Sequence, residues 1–543
     1  MRRFMRIAFA TLVRLTIVMA LWGSAVGAPG KPAHAGEAVE RGSFPLSPSY
    51  PLACEEGTQS SGAIYRICMP DFSPWNGDLI VYAHGYVDPH QPVRIPEEQL
   101  RLPDGTSIPF VANALGYAFA TTSYSINGLA VREALVELVD LVTIFKVGRP
   151  TLNRVYLIGA SEGGLITTLA VEQFPTTFSG GLATCGPVGD FGAQINYVGD
   201  FRVVFDYFFP GLMPGTPISI PQSLIDNWST HYSTNILPVI LDPMNAITVT
   251  QLLSVTQAAY DVGNPTTSIS NTIHTVLWYN VFATNDAIAK LGGQPFDNES
   301  RAYTGSANDD ALNAGVQRFI ADLPALREVQ AHYQTSGQLR VPLVTLHTTL
   351  DEIVPYWHEP LYRDKVVARG RAVRHDNTSV ARYGHCNFTT AEVTQALALL
   401  QARVANPPPI DVDLSPGDSQ QARPGSTVVY THTLTNTGSL SGTFVIEAAS
   451  SEHWPVELLG ITYPTGTWRL PLLLEPGMTT TLQVSLTVPA GVAEGIVDHT
   501  VVTATSQISP SVFMAVSDIT TVKITRYMFI PVVLKNHQVT IKQ

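Results

Sequence analysis

Short apolar runs recur along the first two-thirds of the chain, and segments with helical periodicity separate several of them. The runs are rich in β-branched and aromatic residues, which is typical of buried strands. In 129–145 and 164–174, apolar residues recur every three or four positions, which predicts helices. Because strands alternate with helices, we expect an α/β fold, a mostly parallel sheet with helices on both faces. The predicted strands are 63–68, 79–83, 117–122, 155–158, 181–185 and 341–347.

The segment from about 190 to 340 breaks this alternation. It is long, rich in aromatic residues and mainly helical in pattern, and it falls between the last two predicted strands. Ligands of α/β sheets bind outside the carboxyl ends of the strands. An insertion at this point is therefore predicted to form a helical cap over the ligand site of a catalytic domain that spans 36–405.

The character of the chain changes at the proline-rich segment 406–410. Polyproline is stiff and cannot continue a helix, so this segment is interpreted as a linker. Residues 411–526 then alternate apolar and polar positions, are rich in Thr and Val, and contain repeated Pro-Gly turns. This pattern predicts an all-β sandwich domain. The apolar tail 527–543 fits either a final strand or a sorting tail.

Residues 1–35 have the features of a signal peptide. A basic region with arginines at 2, 3, 6 and 14 precedes a short apolar core at 15–28, and Ala33-His34-Ala35 fits a small-x-small cleavage site. The apolar core is well short of the roughly 20 residues that span a bilayer, which argues against a membrane anchor. We therefore predict an exported protein, either secreted or associated with the cell surface.

Composition and charge narrow the classes of partner. Hydrophobic residues make up 45% of the chain and charged residues 14%, which is the composition of a folded protein with large apolar cores. Removal of 1–35 leaves 27 basic against 44 acidic residues, a net charge of −17. An acidic surface disfavours nucleic acids and anionic membranes as partners.

The four cysteines fit an oxidising compartment, in which disulfides form. Cys54 and Cys68 lie close together and flank a short loop, so we expect them to pair. Cys185 and Cys386 are then left over. A Cys/His metal site is the competing interpretation, but the chain has no Cys-x-x-Cys or His-x-x-x-His spacing, and we predict neither a metal nor a cofactor.

The pentapeptide Gly159-Ala160-Ser161-Glu162-Gly163 joins a predicted strand to a predicted helix. A Gly-x-Ser-x-Gly turn is too tight for side chains at its glycines and holds the serine in a strained backbone conformation. The helix that follows adds free N–H groups and a positive dipole end beside the serine. This pattern is typical of a nucleophile elbow, with Ser161 as the candidate nucleophile.

A serine nucleophile needs a base, and the base needs an acid to orient it. Asp351 follows the predicted strand 341–347 and is the candidate acid, with Glu352 as the second choice. The candidate base is His385, which lies farther along in a Gly-His segment. His347 is its rival, but it precedes the acid, whereas the order expected after an elbow is serine, acid, histidine.

The negative oxygen that forms on a carbonyl under attack needs two hydrogen-bond donors. One candidate is the backbone N–H of Glu162, directly after the nucleophile. The second follows from a resemblance: His84-Gly85-Tyr86, after the predicted strand 79–83, is similar to the oxyanion loop of the α/β-hydrolase superfamily, which implies the backbone N–H of Tyr86 as the donor.

The elbow, the acid loop 348–355, the histidine loop 383–388 and the oxyanion loop 84–86 together resemble those of the α/β-hydrolase superfamily, over residues 60–405. The resemblance implies an α/β-hydrolase sheet with a cap. It also implies an acyl-enzyme mechanism, in which Ser161 attacks a carbonyl, His385 transfers the proton and Asp351 orients the imidazolium. We accordingly expect a secreted serine hydrolase that cleaves carboxylic esters.

A disulfide between Cys185 and Cys386 would pin the histidine loop, since both cysteines are expected at the same rim of the sheet. Such a bridge is similar to the cystine beside the active site of tannase-type and feruloyl esterases. In those enzymes a cysteine directly precedes the serine, whereas Ala160 does so here. We therefore infer the bridge and not membership of that family.

The substrate is expected to be a small-molecule or polymeric ester. Cap aromatics could line a pocket for an acyl chain, an aromatic ester or a polyester segment, although such residues more often form the core of a cap. A secreted serine peptidase of the prolyl-peptidase type, which uses the same triad, is the alternative. The cap aromatics are Phe201, Phe205, Tyr207, Phe208, Phe209, Trp228, Trp278, Tyr279 and Phe282.

The segment 425–438 resembles the immunoglobulin-like modules of bacterial surface proteins. The resemblance implies either a stabilising spacer or a module that contacts a glycan or the cell surface. A second alternative follows, in which the hydrolase domain is inactive and the protein binds surfaces through its sandwich. Intact candidates for nucleophile, acid, base and oxyanion donors argue against it.

Overall fold

The computed structural model describes residues 54–71, 73–458 and 470–524. The predicted signal peptide 1–35 and the tail 527–543 lie outside the described residues. Among the described residues no single helix is long and apolar enough to cross a membrane; one pair, Trp228–Ile240 and Pro243–Thr256, reaches that length and composition only jointly, with a bend of 69° between its members.

The region predicted to be catalytic contains one eight-stranded sheet with the order β1-β2-β4-β3-β5-β6-β7-β8. Strands β3 to β8 pair parallel with one another, whereas β2 pairs antiparallel with both β1 and β4 at one edge. The predicted mostly parallel sheet is therefore confirmed. The strands are β1 Cys54–Thr58, β2 Ile64–Cys68, β3 Asp78–Ala83, β4 Ala118–Thr122, β5 Arg154–Ala160, β6 Gly180–Thr184, β7 Leu343–Leu350 and β8 His375–Tyr383.

Helices follow the strands and continue through the long insertion. Short 3₁₀ turns occur at Glu97–Leu100, Pro243–Asn245 and Ala372–Arg374, and a π-helical turn occurs at Tyr232–Ile236. The α-helices are α1 Ile108–Ala114, α2 Val131–Gly148, α3 Glu162–Gln173, α4 Phe191–Phe208, α5 Gln222–Asp226, α6 Trp228–His231, α7 Leu237–Ile240, α8 Ala246–Thr256, α9 Pro265–Leu291, α10 Asp309–Gly315, α11 Leu323–His332, α12 His358–Ala368 and α13 Thr390–Ala405.

Successive side chains of β3 point to opposite faces of the sheet, as strand geometry requires. Leu79 and Val81 join a core that includes α2, α3 and α12. Ile80 and Tyr82 join a second core that includes α1 and α13. The sheet is thus covered on both faces, and with the serine turn at the end of β5 this is the α/β-hydrolase fold.

Helices α4 to α11 form the insertion between β6 and β7, and they have an apolar core of their own. Most of the aromatic residues singled out in the sequence belong to this core. Phe201, Phe205, Phe209 and Trp228 are buried in it, and Tyr207, Phe208, Trp278 and Phe282 pack against it. Tyr279 differs from them, because it lines a cavity at the serine.

Beyond α13 the chain forms two β-sheets that share one apolar core. One has the strand order β10-β17-β16-β12-β14 and the other the order β13-β15-β11-β9. Pairing is antiparallel except between β10 and β17. The strands are β9 Val412–Ser415, β10 Ser419–Ala422, β11 Thr427–Asn436, β12 Gly442–Ser450, β13 Val456–Leu458, β14 Leu470–Leu474, β15 Thr479–Thr487, β16 Val497–Ser506 and β17 Phe513–Val522.

The proline segment is held against this sandwich. The carbonyl oxygens of Pro408 and Pro409 accept hydrogen bonds from the N–H groups of Ser439 and Leu440, at 2.9 and 3.0 Å. The segment is therefore hydrogen bonded to the loop between β11 and β12.

Candidate active site

Ser161 occupies the sharp turn between β5 and α3, with φ +60° and ψ −124°. A non-glycine residue at positive φ is strained, and the neighbouring glycines allow the turn to close. A Cβ on Gly159 would lie 2.0 Å from the carbonyl oxygen of Gly163, and one on Gly163 would lie 2.1 Å from that of Ala83. No side chain fits at either position, which accounts for the Gly-x-Ser-x-Gly spacing.

The oxyanion loop abuts the nucleophile. A Cβ on Gly85 would lie 3.1 Å from the Cβ of Ser161. Gln99 holds the loop from behind, because its Oε1 accepts the N–H of Gly85 at 2.6 Å and its Nε2 donates to the carbonyl of Tyr86 at 3.1 Å. Within the described part of the chain the backbone N–H groups of Tyr86 and Glu162 have no acceptor, so both are available to a ligand oxygen.

Asp351 and His385 lie at the ends of neighbouring strands, β7 and β8, and are hydrogen bonded. The Nδ1 of His385 is 2.8 Å from Oδ2 and 3.0 Å from Oδ1 of Asp351. The N–H groups of Ile353 and Val354 also donate to Asp351 Oδ1, at 2.9 and 2.8 Å. Burial alone would raise the pKa of Asp351, but the two histidines that face it hold its pKa below the ordinary value.

Glu352, the second candidate acid, does not contact the imidazole ring of His385 among the hydrogen bonds described. Burial raises the pKa of Glu352 to about 7, and the charge of Asp351 adds to the shift. Its own carbonyl oxygen accepts a hydrogen bond from the Tyr197 hydroxyl at 2.6 Å. The structure therefore pairs His385 with Asp351 and not with Glu352.

His347, the rival candidate base, lies next to the Asp351 carboxylate. It is fully buried, with Nε2 3.3 Å from Asp351 Oδ2 and Nδ1 3.0 Å from Glu359 Oε1. Burial opposes its protonation, yet these two carboxylates raise the pKa of His347 to about 10. A buried imidazolium thus shares the Asp351 carboxylate with His385, a role that no sequence spacing indicated.

Both expected disulfides are present, Cys54–Cys68 and Cys185–Cys386. The second ties the histidine loop to the end of β6, next to Thr184, whose carbonyl accepts the N–H of Ser161 at 2.9 Å. Both Cys185 and Cys386 have positive φ, +46° and +49°. His385 is therefore attached covalently, through one neighbouring residue, to the strand that borders the nucleophile.

His385 Nε2 lies 3.5 Å from the Sγ of Cys386, and the described contacts include no direct hydrogen bond between Nε2 and the Ser161 hydroxyl. Catalytic hydrogen bonds are often long before substrate binds. Cys185, His385 and Cys386 are close enough to suggest a metal site, but both sulfur atoms are committed to the disulfide and cannot act as thiolate ligands.

An apolar cavity of about 940 Å³, open solvent at its mouth included, begins at Ser161 and extends under the cap. Tyr279, from α9, lines the cavity together with Ser161. Glu162 also borders the cavity; its Oε1 accepts the N–H of Ala130 at 3.0 Å, and burial raises the pKa of its carboxyl group to about 8. At neutral pH the cavity therefore contains an uncharged Glu162.

Sequence reasoning missed Gln99, and it named His347 and Tyr279 without identifying the contacts that they make at the site. Gln99 lies in a 3₁₀ turn without periodicity, and Tyr279 is one aromatic residue among many in the cap. The sequence places His347 at the end of a predicted strand, but only the fold shows that its ring contacts the Asp351 carboxylate.

No protein-family model matches the chain, and no curated protein sequence matches it. Solved structures that resemble it include feruloyl esterase B from Aspergillus oryzae, with 13% identity, a TM-score of 0.36, and coverage of 67% of this chain and 83% of that one. Dipeptidyl peptidase 4 from Porphyromonas gingivalis gives 11% identity, a TM-score of 0.32 and coverage of 65% and 35%. Acylaminoacyl peptidase from Pyrococcus horikoshii has 10% identity and a TM-score of 0.31, with coverage of 64% of this chain and 40% of that one.

The chain spans less than half the length of the two peptidases it resembles. At this level of likeness, what the chain acts on has to be inferred from its own residues.

Proposed function

We propose that the protein is a serine hydrolase that cleaves carboxylic esters through an acyl-enzyme intermediate. The observation that carries the proposal is the strained Ser161 facing the oxyanion loop, with the N–H groups of Tyr86 and Glu162 left free beside it. Such donors stabilise the negative oxygen that forms when a nucleophile attacks a carbonyl.

In this mechanism His385 accepts the Ser161 proton through Nε2 while Oγ attacks the ester carbonyl. Asp351, bonded to Nδ1, fixes the ring orientation and stabilises the imidazolium. His385 then returns the proton to the leaving alcohol, and water, activated by the same base, hydrolyses the acyl-enzyme. No step requires a metal or a cofactor.

An ester is favoured over a peptide by the character of the cavity at the serine. The polar side chains that line it are already hydrogen bonded within the protein: Gln194 to Ile353 and His358, and Asn280 to Arg202 and Pro217. Recognition of a peptide chain needs unpaired donors and acceptors for its amide groups.

We also propose that the protein works outside the cytoplasm. The basic and apolar pattern of 1–35 supports export, and the two disulfides are compatible with an oxidising compartment.

The test compares p-nitrophenyl esters with peptide p-nitroanilides, for the native chain and for Ser161→Ala. We expect ester turnover that falls by several powers of ten in the variant, because loss of the nucleophile removes the covalent route. Cleavage of anilides without ester turnover would favour the peptidase alternative. Ester turnover that survives Ser161→Ala would overturn the site assignment.

A further inference from the structure

The cavity at Ser161 is lined by one stripe from each of two cap helices. On α4 the stripe comprises Phe191, Gln194, Ile195, Val198 and Gly199, and on α9 it comprises Tyr279, Asn280, Ala283, Thr284, Ala287 and Ile288. These spacings of three and four residues place each set on one side of its helix. On α9 the residues Ala283, Thr284 and Ala287 are small, and they leave the space that the cavity fills.

The length of the cavity can be read from the residues of α9 that line it. Tyr279 lines the cavity together with Ser161 at one end, and Ile288 lies nine residues farther along the helix. At 1.5 Å per residue the stripe is about 14 Å long, roughly the length of an extended chain of twelve carbon atoms.

The polar side chains that line the cavity are hydrogen bonded within the protein, so they do not require a polar ligand. Gln194 and Asn280 have protein partners, as described above, and Gln294 donates to the carbonyl of Phe296 at 2.8 Å. Thr284 accepts a hydrogen bond from Asn280 at 3.2 Å. No Lys, Arg or His borders the cavity among the described residues, so an anionic ligand would find no counter-charge.

The position of the cavity decides which half of an ester it takes. Tyr86 and Glu162, whose N–H groups would hold the carbonyl oxygen, border the cavity, whereas His385 is not among its described lining residues. The leaving alcohol must be near His385, which gives it a proton. The cavity is therefore on the acyl side of the reacting carbon.

We infer that this cavity is an acyl-chain pocket for an uncharged, unbranched aliphatic acyl group of medium length. The inference rests on the proposed esterase function and deepens it by naming the substrate class. Each methylene moved from water into the pocket stabilises the bound chain, so affinity should rise with length until the pocket is full.

The test uses p-nitrophenyl ethyl alkylphosphonates with chains from ethyl to dodecyl, which do not depend on ester turnover. Ser161 Oγ forms a bond to phosphorus, p-nitrophenolate leaves, and the serine proton passes to His385. The alkyl chain then occupies the acyl position. We expect the second-order inactivation rate to rise at least tenfold from ethyl to octyl and to fall for dodecyl.

Variants locate the chain in the pocket. Ala287→Phe should move the optimum to shorter chains, and Ala283→Phe, closer to Tyr279, should move it further in the same direction. Ala289→Phe is the matched control, because Ala289 is on the exposed side of α9, and it should keep the native profile. Thermal unfolding verifies that each variant is folded. If a variant does not fold, the dependence of the inactivation rate on chain length in the native protein still tests the proposal.

A rate that is flat in chain length, or faster with a benzyl than with an octyl group, would overturn the acyl-chain pocket. A length preference that follows the alkoxy instead of the alkyl group would overturn its assignment to the acyl side. An octyl preference at Ser161 without turnover of any ester would support the pocket and contradict the esterase function. Absence of phosphonylation at Ser161 would contradict both.

Discussion

Glu162 plays two parts at the site, since its N–H is a candidate oxyanion donor and its carboxyl group is buried beside Ser161. Burial raises the pKa of this carboxyl group from 4.5 to about 8. Because the folded state keeps a proton that the unfolded chain loses, the contribution of Glu162 to stability falls as pH rises from 4.5 to 8. Above that range, the cavity at Ser161 contains a negative charge, which disfavours the negative oxygen that forms during the reaction.

We therefore expect kcat/KM for a neutral ester to decline above about pH 8. Glu162→Gln keeps the backbone N–H and the shape of the side chain but cannot ionise, so the alkaline decline should disappear. Measurement of kcat/KM against pH for both proteins checks this. An alkaline decline that is identical in the variant would assign it to another group.

His347 is expected to act as a positioning residue, because it touches Asp351 and not the reacting atoms. Replacement by Gln removes the cation between Asp351 and Glu359, so Asp351 loses one of its two histidine partners. We expect His347→Gln to lower kcat by up to about 10²-fold with little change in KM, as a small misplacement of the base would.

The matched control is His432, a buried histidine that pairs with Asp518 at 3.0 Å in the sandwich. His432→Gln should reduce stability in the same way without a change in kcat. Equal kcat for the two variants would show that His347 serves only to stabilise the fold.

At the scale of elements, the buried strands were predictable and the edge strands were not. β3 to β7 are apolar along their length and follow the predicted runs within a few residues. β8 consists mainly of polar residues and lies at the edge of the sheet, and β1 is mostly exposed. Neither strand therefore has the apolar pattern by which a strand is predicted. β8 matters to the site, because it carries His385 to the end of the sheet.

The histidine loop 383–388 is held by two different bonds, the hydrogen bond from His385 to Asp351 and the Cys185–Cys386 disulfide. The double variant Cys185→Ala/Cys386→Ala should lower kcat by tenfold or more, because His385 is then less well fixed beside the nucleophile. Cys54→Ala/Cys68→Ala, which removes the bridge between β1 and β2, is the control and should lower stability alone. Equal effects of the two pairs on kcat would contradict a specific role for the Cys185–Cys386 bridge.

On the scale of the whole molecule, the sandwich is part of one folded body with the eight-stranded sheet and its helices. Asp411, at its beginning, forms ion pairs with Arg371 at 3.2 Å and with Arg374, both from the catalytic region. Arg371 also donates to the carbonyl of Val412 at 2.6 Å. Arg371 and Asp411 are completely buried, so this contact is an interior one. The sequence indicated two domains and a linker, but no pattern in it revealed that charged residues would join them.

Asp411→Asn leaves two arginines without their buried carboxylate and should lower the free energy of unfolding by about 3–5 kcal/mol. The control is Asp376→Asn, which breaks a half-exposed pair with Arg403 and should cost at most about 1 kcal/mol. Urea unfolding of the full chain measures both values. Similar values for the two variants would mean that the sandwich is only loosely attached.

The account as a whole depends on Ser161 being an activated nucleophile. The most direct measurement is labelling of the native protein with a fluorophosphonate, followed by identification of the labelled peptide by mass spectrometry. We expect one stoichiometric label, on the peptide that contains Ser161, and no label on Ser161→Ala. A label on a different residue, or none on native protein that is shown to be folded, would contradict the account.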